Sequence, residues 1–304
     1  IINGGTMNKD VLLNTEQMAK FVANGFLEFD GLVDQKTNKE FIDIFFNNKS
    51  IDEIKINELL PILKPGTKLV NSYSDDNVIG KLIKNPYIKG AIESLVGRNP
   101  IVDHHHIHIS MPNSQSSQYN HFDSAIDKRT QTFDIQLLYF PHEVKASMGG
   151  TRYIPGTHFR IVHTHHIARY QNILGQKFVC CKPGTVLIFH HGLWHGGGRN
   201  LSETPRIMFK LRLQPTEPQI LLWNTEDITE ERIKSWQRPI YHGDKSSNND
   251  PVPNILMNSE LWFDSNATLE WINRIKLWRI LLGKPKIDID NWMSRLENDP
   301  GSII

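Results

Sequence analysis

Cysteine and long apolar runs are scarce in this sequence. Its 304 residues include two cysteines, the neighbours Cys180 and Cys181, and adjacent cysteines can build neither a disulfide framework nor a CxxC zinc site. We interpret both as buried strand residues in a reducing compartment. No run of about 18 apolar residues is present that would cross a bilayer, and the N-terminus lacks the basic-then-apolar order of a signal peptide.

An excess of charge of one sign is also missing. The 34 basic and 33 acidic residues leave a formal net charge of +1, whereas nucleic-acid-binding proteins usually carry a basic stripe. The sequence therefore favours a cytoplasmic protein that binds neither nucleic acid nor membrane, and nothing in it fixes an oligomeric state. The first six residues, IINGGT, precede the first methionine, Met7. We expect them to be a cloning remnant and the fold to begin at residue 7.

Helical patterns occupy residues 7–100. The stretch TEQMAKFVANG from Thr15 has a threonine that can cap a helix, apolar residues on one face and Gly25 as a stop. A second amphipathic helix is predicted over residues 35–48, and residues 57–97 mix short helices with proline and glycine turns. These patterns predict an N-terminal helical part.

A β-rich region follows over residues 101–215. Stretches such as IVDHHHIHI, FDIQLLYF and RIMFKLRLQP are rich in β-branched or aromatic residues and are separated by Gly, Pro and Asn, which predicts the strands of a β-barrel or sandwich. Beyond it, the polar segment 237–254 predicts a mobile loop. The apolar spacing from Leu269 to Leu282 predicts a helix that covers the barrel. We expect a single domain, with residues 216–304 as its C-terminal helical extension.

Histidine is the abundant residue that can carry chemistry. The chain has 14 histidines, and the motif HFD at 121–123 sets one beside a carboxylate. Side chains two residues apart on a strand point to the same side, so His121 and Asp123 can present a nitrogen and an oxygen to one metal ion. They need one further ligand to complete the two-histidine, one-carboxylate triad that leaves open positions on Fe(II). The alternative is a turn histidine whose aspartate neighbour caps a nearby backbone group.

A third ligand has to come from a distant strand. His190, His191 and His195 all follow the predicted strand TVLIF. We prefer His195, because Arg206 begins the next predicted strand and two adjacent antiparallel strands would bring the pair together. An arginine there can hold a carboxylate in a bidentate pair. Taken alone, Arg206 is better explained as a surface strand residue.

A second histidine cluster offers a different metal site. In DHHHIHIS, the side chains of His104, His106 and His108 share one strand face. Such a set can hold zinc in a hydrolase or a lyase, which is the alternative function we carry forward. The histidines of HTHH at 163–166 we interpret as solvated.

The run HGGG at 195–198 allows other chemistries as well. An esterase oxyanion loop would need a GxSxG nucleophile motif, which the sequence lacks. A phosphate-binding loop would lead into a helix, whereas here an alternating strand follows from Ile207 to Leu213. Both alternatives are therefore disfavoured.

Several of these motifs together resemble a known family. HFD, GGTRYIPGTH at 149–158 and PGTVLIFHHGLWHGGGRN followed by Arg206 resemble the phytanoyl-CoA dioxygenase family of Fe(II)- and 2-oxoglutarate-dependent oxygenases, as does the opening TEQMAKFVANGFLEFDGLVD. The resemblance runs from about residue 15 to residue 215. It implies a mainly β fold with helical flanks, whose core is a double-stranded β-helix, the cupin-like jelly roll.

The resemblance also implies a catalytic site. Iron would be held by His121, Asp123 and His195, and Arg206 would pair with the C5 carboxylate of 2-oxoglutarate, with O2 as the other cosubstrate. Halogenating relatives have a small residue in place of the aspartate. The presence of Asp123 therefore implies hydroxylation, or a related oxidation such as desaturation, with release of succinate and CO2.

Further residues are implied around the cosubstrate. Tyr139 occupies a position that can line the 2-oxoglutarate pocket, and Gly197 stands where some relatives have a serine that contacts the cosubstrate. We expect His106 or His108 to line the active-site cavity without binding the metal.

The substrate implied by this interpretation is a small polar or anionic molecule. Four basic residues are predicted at the rim of the barrel, although ordinary surface charge explains them almost as well: Lys128, Arg129, Arg152 and Arg160. A noncatalytic jelly-roll binding protein is the remaining alternative. The joint presence of both histidines, the aspartate and the arginine speaks against it.

Overall fold

The computed structural model describes residues 9–46, 59–114, 116–123, 132–160, 164–168, 172–236, 250–258 and 267–283. Its helices are α1 Thr15–Asn24, α2 Gln35–Phe46, α3 Val78–Lys84, α4 Pro86–Val96, α5 Thr164–Ala168, α6 Glu230–Ser235, α7 Pro251–Leu256 and α8 Ala267–Leu281. Its strands are β1 Phe26–Phe29, β2 Ile101–Ser110, β3 Ile135–Phe140, β4 Thr151–Tyr153, β5 Lys177–Phe178, β6 Thr185–His190, β7 His195–Gly197 and β8 Arg206–Gln214. The predicted β-rich region with helices on either side is thus confirmed. None of the described helices combines the length and apolar character that crossing a bilayer requires.

Helix α1 is capped one residue earlier than expected. The Asn14 side chain accepts a hydrogen bond from the Gln17 backbone at 2.8 Å, and the Gln17 side chain accepts one from the Asn14 backbone at 3.0 Å. This reciprocal pair is a capping box. Thr15, which we expected to cap, lies buried and donates its hydroxyl to Asp227. Gly25 ends the helix, as predicted, with a φ of 76° in the left-handed region that glycine adopts freely.

The strands form two antiparallel sheets. The larger sheet has the order β1-β6-β3-β8-β2, and the smaller has the order β5-β4-β7. Strand β8 pairs with both β2 and β3, so that Lys210 lies opposite His106 on one side and Leu138 on the other. Strand β8 therefore has a neighbour on each side, and its successive side chains point to opposite faces of the sheet.

The two faces of the larger sheet are buried against different partners. One face carries Leu137 and Phe209, which pack with helices α1, α2 and α4 in the main core. The other carries Leu138, Leu187 and Met208, which pack with residues of the smaller sheet. We call this second side, on β2, β3, β6 and β8, the inward face.

The last described helix lies on the other helices. Helix α8 packs against α1 and α7, and its Trp278 contacts Trp223 and Trp236 at ring-centroid distances of 5.6 and 5.9 Å. We expected this helix to cover the barrel, but it covers the helical layer. Gly283, predicted as its stop, has a φ of 64°.

Two predictions about loop and strand residues are corrected. The segment 237–254 is helical where it is described, since Asp250 caps α7 and Pro251 occupies the first turn, where a missing N–H is tolerated. Residues 237–249 lie outside the described residues. Cys180 and Cys181 follow the short β5 instead of lying in a strand, and only Cys181 is buried.

Candidate metal centre

The predicted metal ligands come together at the start of β7. His121 forms an isolated antiparallel bridge with His195, so the HFD motif does not lie on a regular strand as expected. Asp123 closes the group: its Oδ1 lies 3.3 Å from Nε2 of His121, and its Oδ2 lies 3.5 Å from Nε2 of His195. One ligand atom of each residue lies within 4.8 Å of the others. Among the described residues, no other group of three or more histidine, cysteine, aspartate or glutamate side chains has its ligand atoms this close together.

Both imidazoles are oriented by their second nitrogen. Nδ1 of His121 lies 2.8 Å from the carbonyl of Tyr119, and Nδ1 of His195 lies 2.9 Å from the carbonyl of Leu193. A carbonyl can only accept, so each Nδ1 carries a hydrogen. Nε2 of each ring faces Asp123, and once it gives up its proton it can offer a lone pair to a cation, the arrangement that metal-binding histidines usually have.

Asp123 is an ionised carboxylate in a half-buried place. Lys210 of β8 donates a hydrogen bond to its Oδ2. Burial opposes ionisation, but the hydrogen bonds from His121 and His195 and the charge of Lys210 outweigh it and hold the pKa of Asp123 well below its ordinary range. Burial also disfavours charge on His121, yet its contact with Asp123 raises its pKa overall.

Arg212 holds the residues around Asp123 in place. Its Nε and Nη2 donate to Oδ2 of Asp134 at 3.0 and 2.6 Å, and its Nη1 donates to the backbone carbonyl of Asp123. We did not predict Lys210, Arg212 or Asp134 from the sequence. A signal was present, because Arg206, Lys210 and Arg212 occupy alternating positions of β8 and so share one face.

Arg206 is buried between the two sheets. Strand β7 belongs to the smaller sheet and β8 to the larger one, so the expected adjacency of the two strands is wrong. Arg206 nevertheless reaches the loop after His195, where its Nη1 lies 3.5 Å from the carbonyl of Gly198, and the same nitrogen donates to the carbonyl of Met148 at 3.0 Å. It is 8% exposed, burial lowers its pKa to about 10, and no carboxylate of the described residues pairs with it. A buried guanidinium without an acidic partner is a place for an anion to bind.

The glycine run has two different roles. A Cβ on Gly196 would lie 2.8 Å from the carbonyl of Tyr119, and one on Gly198 would lie 2.7 Å from the carbonyl of Gly149, so both positions exclude a side chain. A Cβ on Gly197 would lie 3.5 Å from Oε1 of Gln118 and 3.6 Å from Nη2 of Arg206, which is ordinary contact. Gly197 therefore has room for a Cβ, in ordinary contact with Gln118 and Arg206.

Tyr139 lies on the wrong side of its strand for the predicted role. Its hydroxyl donates to Oδ1 of Asn38 at 2.7 Å, and its ring packs edge-on against Phe41 of α2. It shares a face with Leu137 in the main core, whereas Leu138 points inward. The prediction that Tyr139 lines a cosubstrate pocket is therefore wrong.

His106 and His108 lie on the inward face of β2. Their ring centroids are 4.6 Å apart, and the two residues pair in register with Lys210 and Met208. Burial, helped by the nearby charges of His106 and Lys210, lowers the pKa of His108 to about 4, so its ring is neutral at neutral pH. His104 contacts Asp103 at 2.6 Å, and the three histidines do not form a metal-ligating group within the described residues.

His190 and His191 have packing roles. Nδ1 of His190 accepts from the backbone of Gly192, and Nδ1 of His191 accepts from the backbone of Asp134. Both side chains are buried, and neither belongs to the metal-ligating group.

The basic residues expected at the barrel rim are engaged elsewhere or lie outside the described residues. Arg160 pairs with Glu270 of α8 at 3.1 Å, and the buried Arg152 donates to the carbonyl of Gln118. Lys128 and Arg129 lie outside the described residues, as does His163. His165 and His166 are exposed, as predicted.

Comparison with known proteins relates this chain to one family. A family model described as phytanoyl-CoA dioxygenase matches residues 23–208. HygX from Streptomyces hygroscopicus, solved with nickel and 2-oxoglutarate bound, is 17% identical with a TM-score of 0.50, over 67% of this chain and 88% of HygX. SnoK, a non-heme alpha-ketoglutarate-dependent carbocyclase from nogalamycin biosynthesis, is 14% identical with a TM-score of 0.50, over 70% of this chain and 88% of SnoK. At these identities the similarity shows a shared fold. No curated protein matches the chain in sequence.

Proposed function

Since the chain belongs to the phytanoyl-CoA dioxygenase family, we propose that it is an Fe(II)- and 2-oxoglutarate-dependent oxygenase. It hydroxylates an unactivated C–H bond of a small polar or anionic molecule, and its two sheets form the jelly roll of a single domain over residues 7–304. The proposal depends on one observation, that a candidate metal site and a candidate anion site both lie in the interior of this protein. One is the group of His121, Asp123 and His195, and the other is the buried guanidinium of Arg206 without an acidic partner.

The donor set of the metal-ligating group fits a ferrous ion. Two imidazoles and one carboxylate are the ligands of the triad that leaves three positions of Fe(II) open. His121 and His195 already present Nε2 toward Asp123, because backbone carbonyls hold the other nitrogen of each ring. Fe(II) bound there, with 2-oxoglutarate and O2, would supply the oxidation that releases succinate and CO2.

Arg206 would fix the far end of the cosubstrate. Its guanidinium is planar and suited to a bidentate pair with a carboxylate. Met148 accepts from Nη1, and a Cβ built on Gly197 would lie 3.6 Å from Nη2. Asp123 keeps the metal ligand set complete, which favours hydroxylation over halogenation.

Two observations support a small-molecule substrate. HygX has been solved with hygromycin B bound beside nickel and 2-oxoglutarate, and the inward face of this chain carries the polar side chains of His106, His108 and Lys210. The zinc alternative loses its basis, because His104, His106 and His108 do not converge on one point within the described residues.

Succinate formation tests the proposal directly. The purified protein with Fe(II), 2-oxoglutarate and O2 is expected to form succinate when a metabolite extract is added, and His195→Ala and Arg206→Ala are expected to abolish this. Arg98→Ala, at an exposed position, serves as the control. If the wild-type protein forms no succinate with any extract and its Ni(II) form does not bind 2-oxoglutarate, the proposal is wrong.

A further inference from the structure

Lys210 is a buried cation in contact with the metal-ligating carboxylate. It lies on the inward face of β8, is 8% exposed, and donates to Oδ2 of Asp123. Its neighbour across the strand pair is His106. In the part of the chain that the structure describes, Asp123 is the one carboxylate with which Lys210 forms an ion pair.

The charged side chains around this residue have partners of their own. Lys210 pairs with Asp123, whereas Arg212 pairs with Asp134 and, at 3.8 Å, with Asp103. Arg212 is already engaged by Asp134 through two nitrogens. A divalent cation on Asp123 would place two positive charges beside the Lys210 ammonium and would share the one carboxylate that pairs with it in the described residues. The ammonium would then be only partly compensated in a buried place, which is unfavourable.

Lys210 and Arg206 are separate places for an anion. Four residues along an extended strand separate their Cα atoms by roughly 13 Å. A 2-oxoglutarate molecule that pairs its C5 carboxylate with Arg206 presents its other carboxylate to the metal. The ammonium of Lys210, which has three N–H donors, can then keep one on Asp123 and offer the others to a further ligand.

We infer that Lys210, with His106 beside it, binds an anionic group of the substrate next to the metal. The group is a carboxylate or an oxyanion of similar charge. The inference rests on the proposed function and narrows its substrate class from polar or anionic molecules to anions. Lys210 is thus a specificity-determining residue, separate from the metal ligands and from Arg206.

The experiment compares Lys210→Met with the exposed-lysine control Lys81→Met. A metabolite extract is separated by anion exchange into anionic and non-anionic fractions. Each fraction is assayed for succinate formation with the Fe(II) protein, and for a change in the visible absorption of the Co(II) protein saturated with 2-oxoglutarate. The affinity of the Ni(II) protein for 2-oxoglutarate is measured by calorimetry.

With the wild-type protein and with Lys81→Met, the anionic fraction is expected to increase succinate formation and to change the visible absorption of the Co(II) protein. With Lys210→Met, the concentration of that fraction needed for half the effect should rise by about 10-fold or more, since a charge-assisted contact is lost. The affinity for 2-oxoglutarate should change by less than about 2-fold, and Lys210→Arg should recover part of the effect. If Lys210→Met does not fold, Lys210→Gln is measured in its place.

Three results would overturn the inference. Activity confined to the non-anionic fraction would exclude an anionic substrate, and an unchanged response of Lys210→Met would exclude its role. A parallel loss of 2-oxoglutarate affinity would assign Lys210 to the cosubstrate. Failure of the proposed function looks different, because no fraction would then yield succinate and the Ni(II) protein would not bind 2-oxoglutarate.

Discussion

The backbones of His121 and His195 hydrogen-bond to each other in both directions, with N to O distances of 2.8 and 2.9 Å. This bridge sets the two imidazole ring centroids 4.5 Å apart without using a side-chain atom. Local structure and metal ligation therefore depend on different atoms of the same residues, so each can be perturbed separately.

Removal of one imidazole should abolish metal binding and leave the fold intact. His195→Ala keeps the backbone bridge and loses one hydrogen bond to Leu193, which contributes about 1 kcal/mol. We expect its affinity for Co(II) to fall by at least about 100-fold, since even the loss of an outer-shell partner commonly costs 10- to 100-fold. Visible absorption titration measures the affinity, thermal melting of the metal-free protein measures the fold, and exposed His165→Ala is the control. Co(II) affinity equal to that of the wild type would exclude His195 as a ligand.

Arg206→Lys tests the bidentate anion site. A lysine keeps the positive charge but not the planar pair of donors. We expect the dissociation constant of 2-oxoglutarate from the Ni(II) protein to rise by about 10-fold or more, the equivalent of one charge-assisted hydrogen bond. Arg98→Lys, at an exposed position, should bind as the wild type does in the same calorimetric titration. Equal affinity in both variants would place the C5 carboxylate elsewhere.

The three glycines after His195 should respond differently to serine. Gly196→Ser and Gly198→Ser place a Cβ within 3.0 Å of a backbone carbonyl and should each destabilise the protein by about 1–3 kcal/mol. Gly197→Ser meets only ordinary contacts and adds a hydroxyl beside Nη2 of Arg206.

The expected outcome for Gly197→Ser is wild-type stability and a 2-oxoglutarate affinity a few-fold higher, because a new hydrogen bond contributes about 1 kcal/mol. Urea unfolding compares the three variants, and calorimetry measures the affinity. Weaker binding by Gly197→Ser would show that the added serine side chain interferes with the ligand.

Asp250 should make part of the stability dependent on acid pH. Burial opposes its ionisation, but hydrogen bonds from Arg232 outweigh burial and lower the pKa of Asp250 in the folded protein. A lowered carboxyl pKa stabilises the fold above the ordinary value, and this stabilisation is lost as pH falls through the folded pKa. Asp250→Asn retains the N-cap of α7 but not the largely buried ion pair with Arg232, so it should cost about 1–3 kcal/mol at neutral pH.

The measurement for Asp250 is the free energy of unfolding as a function of pH. Between about pH 5 and pH 2, the wild type should lose more stability than Asp250→Asn, because only the wild type has a carboxylate at position 250 to protonate. Parallel curves for the two proteins would mean that the ion pair with Arg232 does not stabilise the fold.

Secondary structure was largely predictable from local pattern. The alternation in β8 assigns Ile207 and Phe209 to one face and Arg206 to the other, because successive strand residues point to opposite sides. Tyr139 shows where this fails. Every residue of β3 is buried, so no alternation marks which of its two faces lies toward the smaller sheet. Lys210 was missed for a related reason, since a lysine in a strand ordinarily lies in solvent.

The sequence by itself determined the chemistry available to this protein: the histidines and carboxylate of HFD and HGGG, an arginine beyond them, and the order of helices and strands. Only the tertiary structure decided which of these groups meet. His121 and His195 are distant along the chain, and their bridge exists because the HFD segment is carried to the start of strand β7. The strand adjacency expected for His195 and Arg206 is replaced by contact across two sheets. Such contacts depend on packing between elements, which local sequence pattern does not encode.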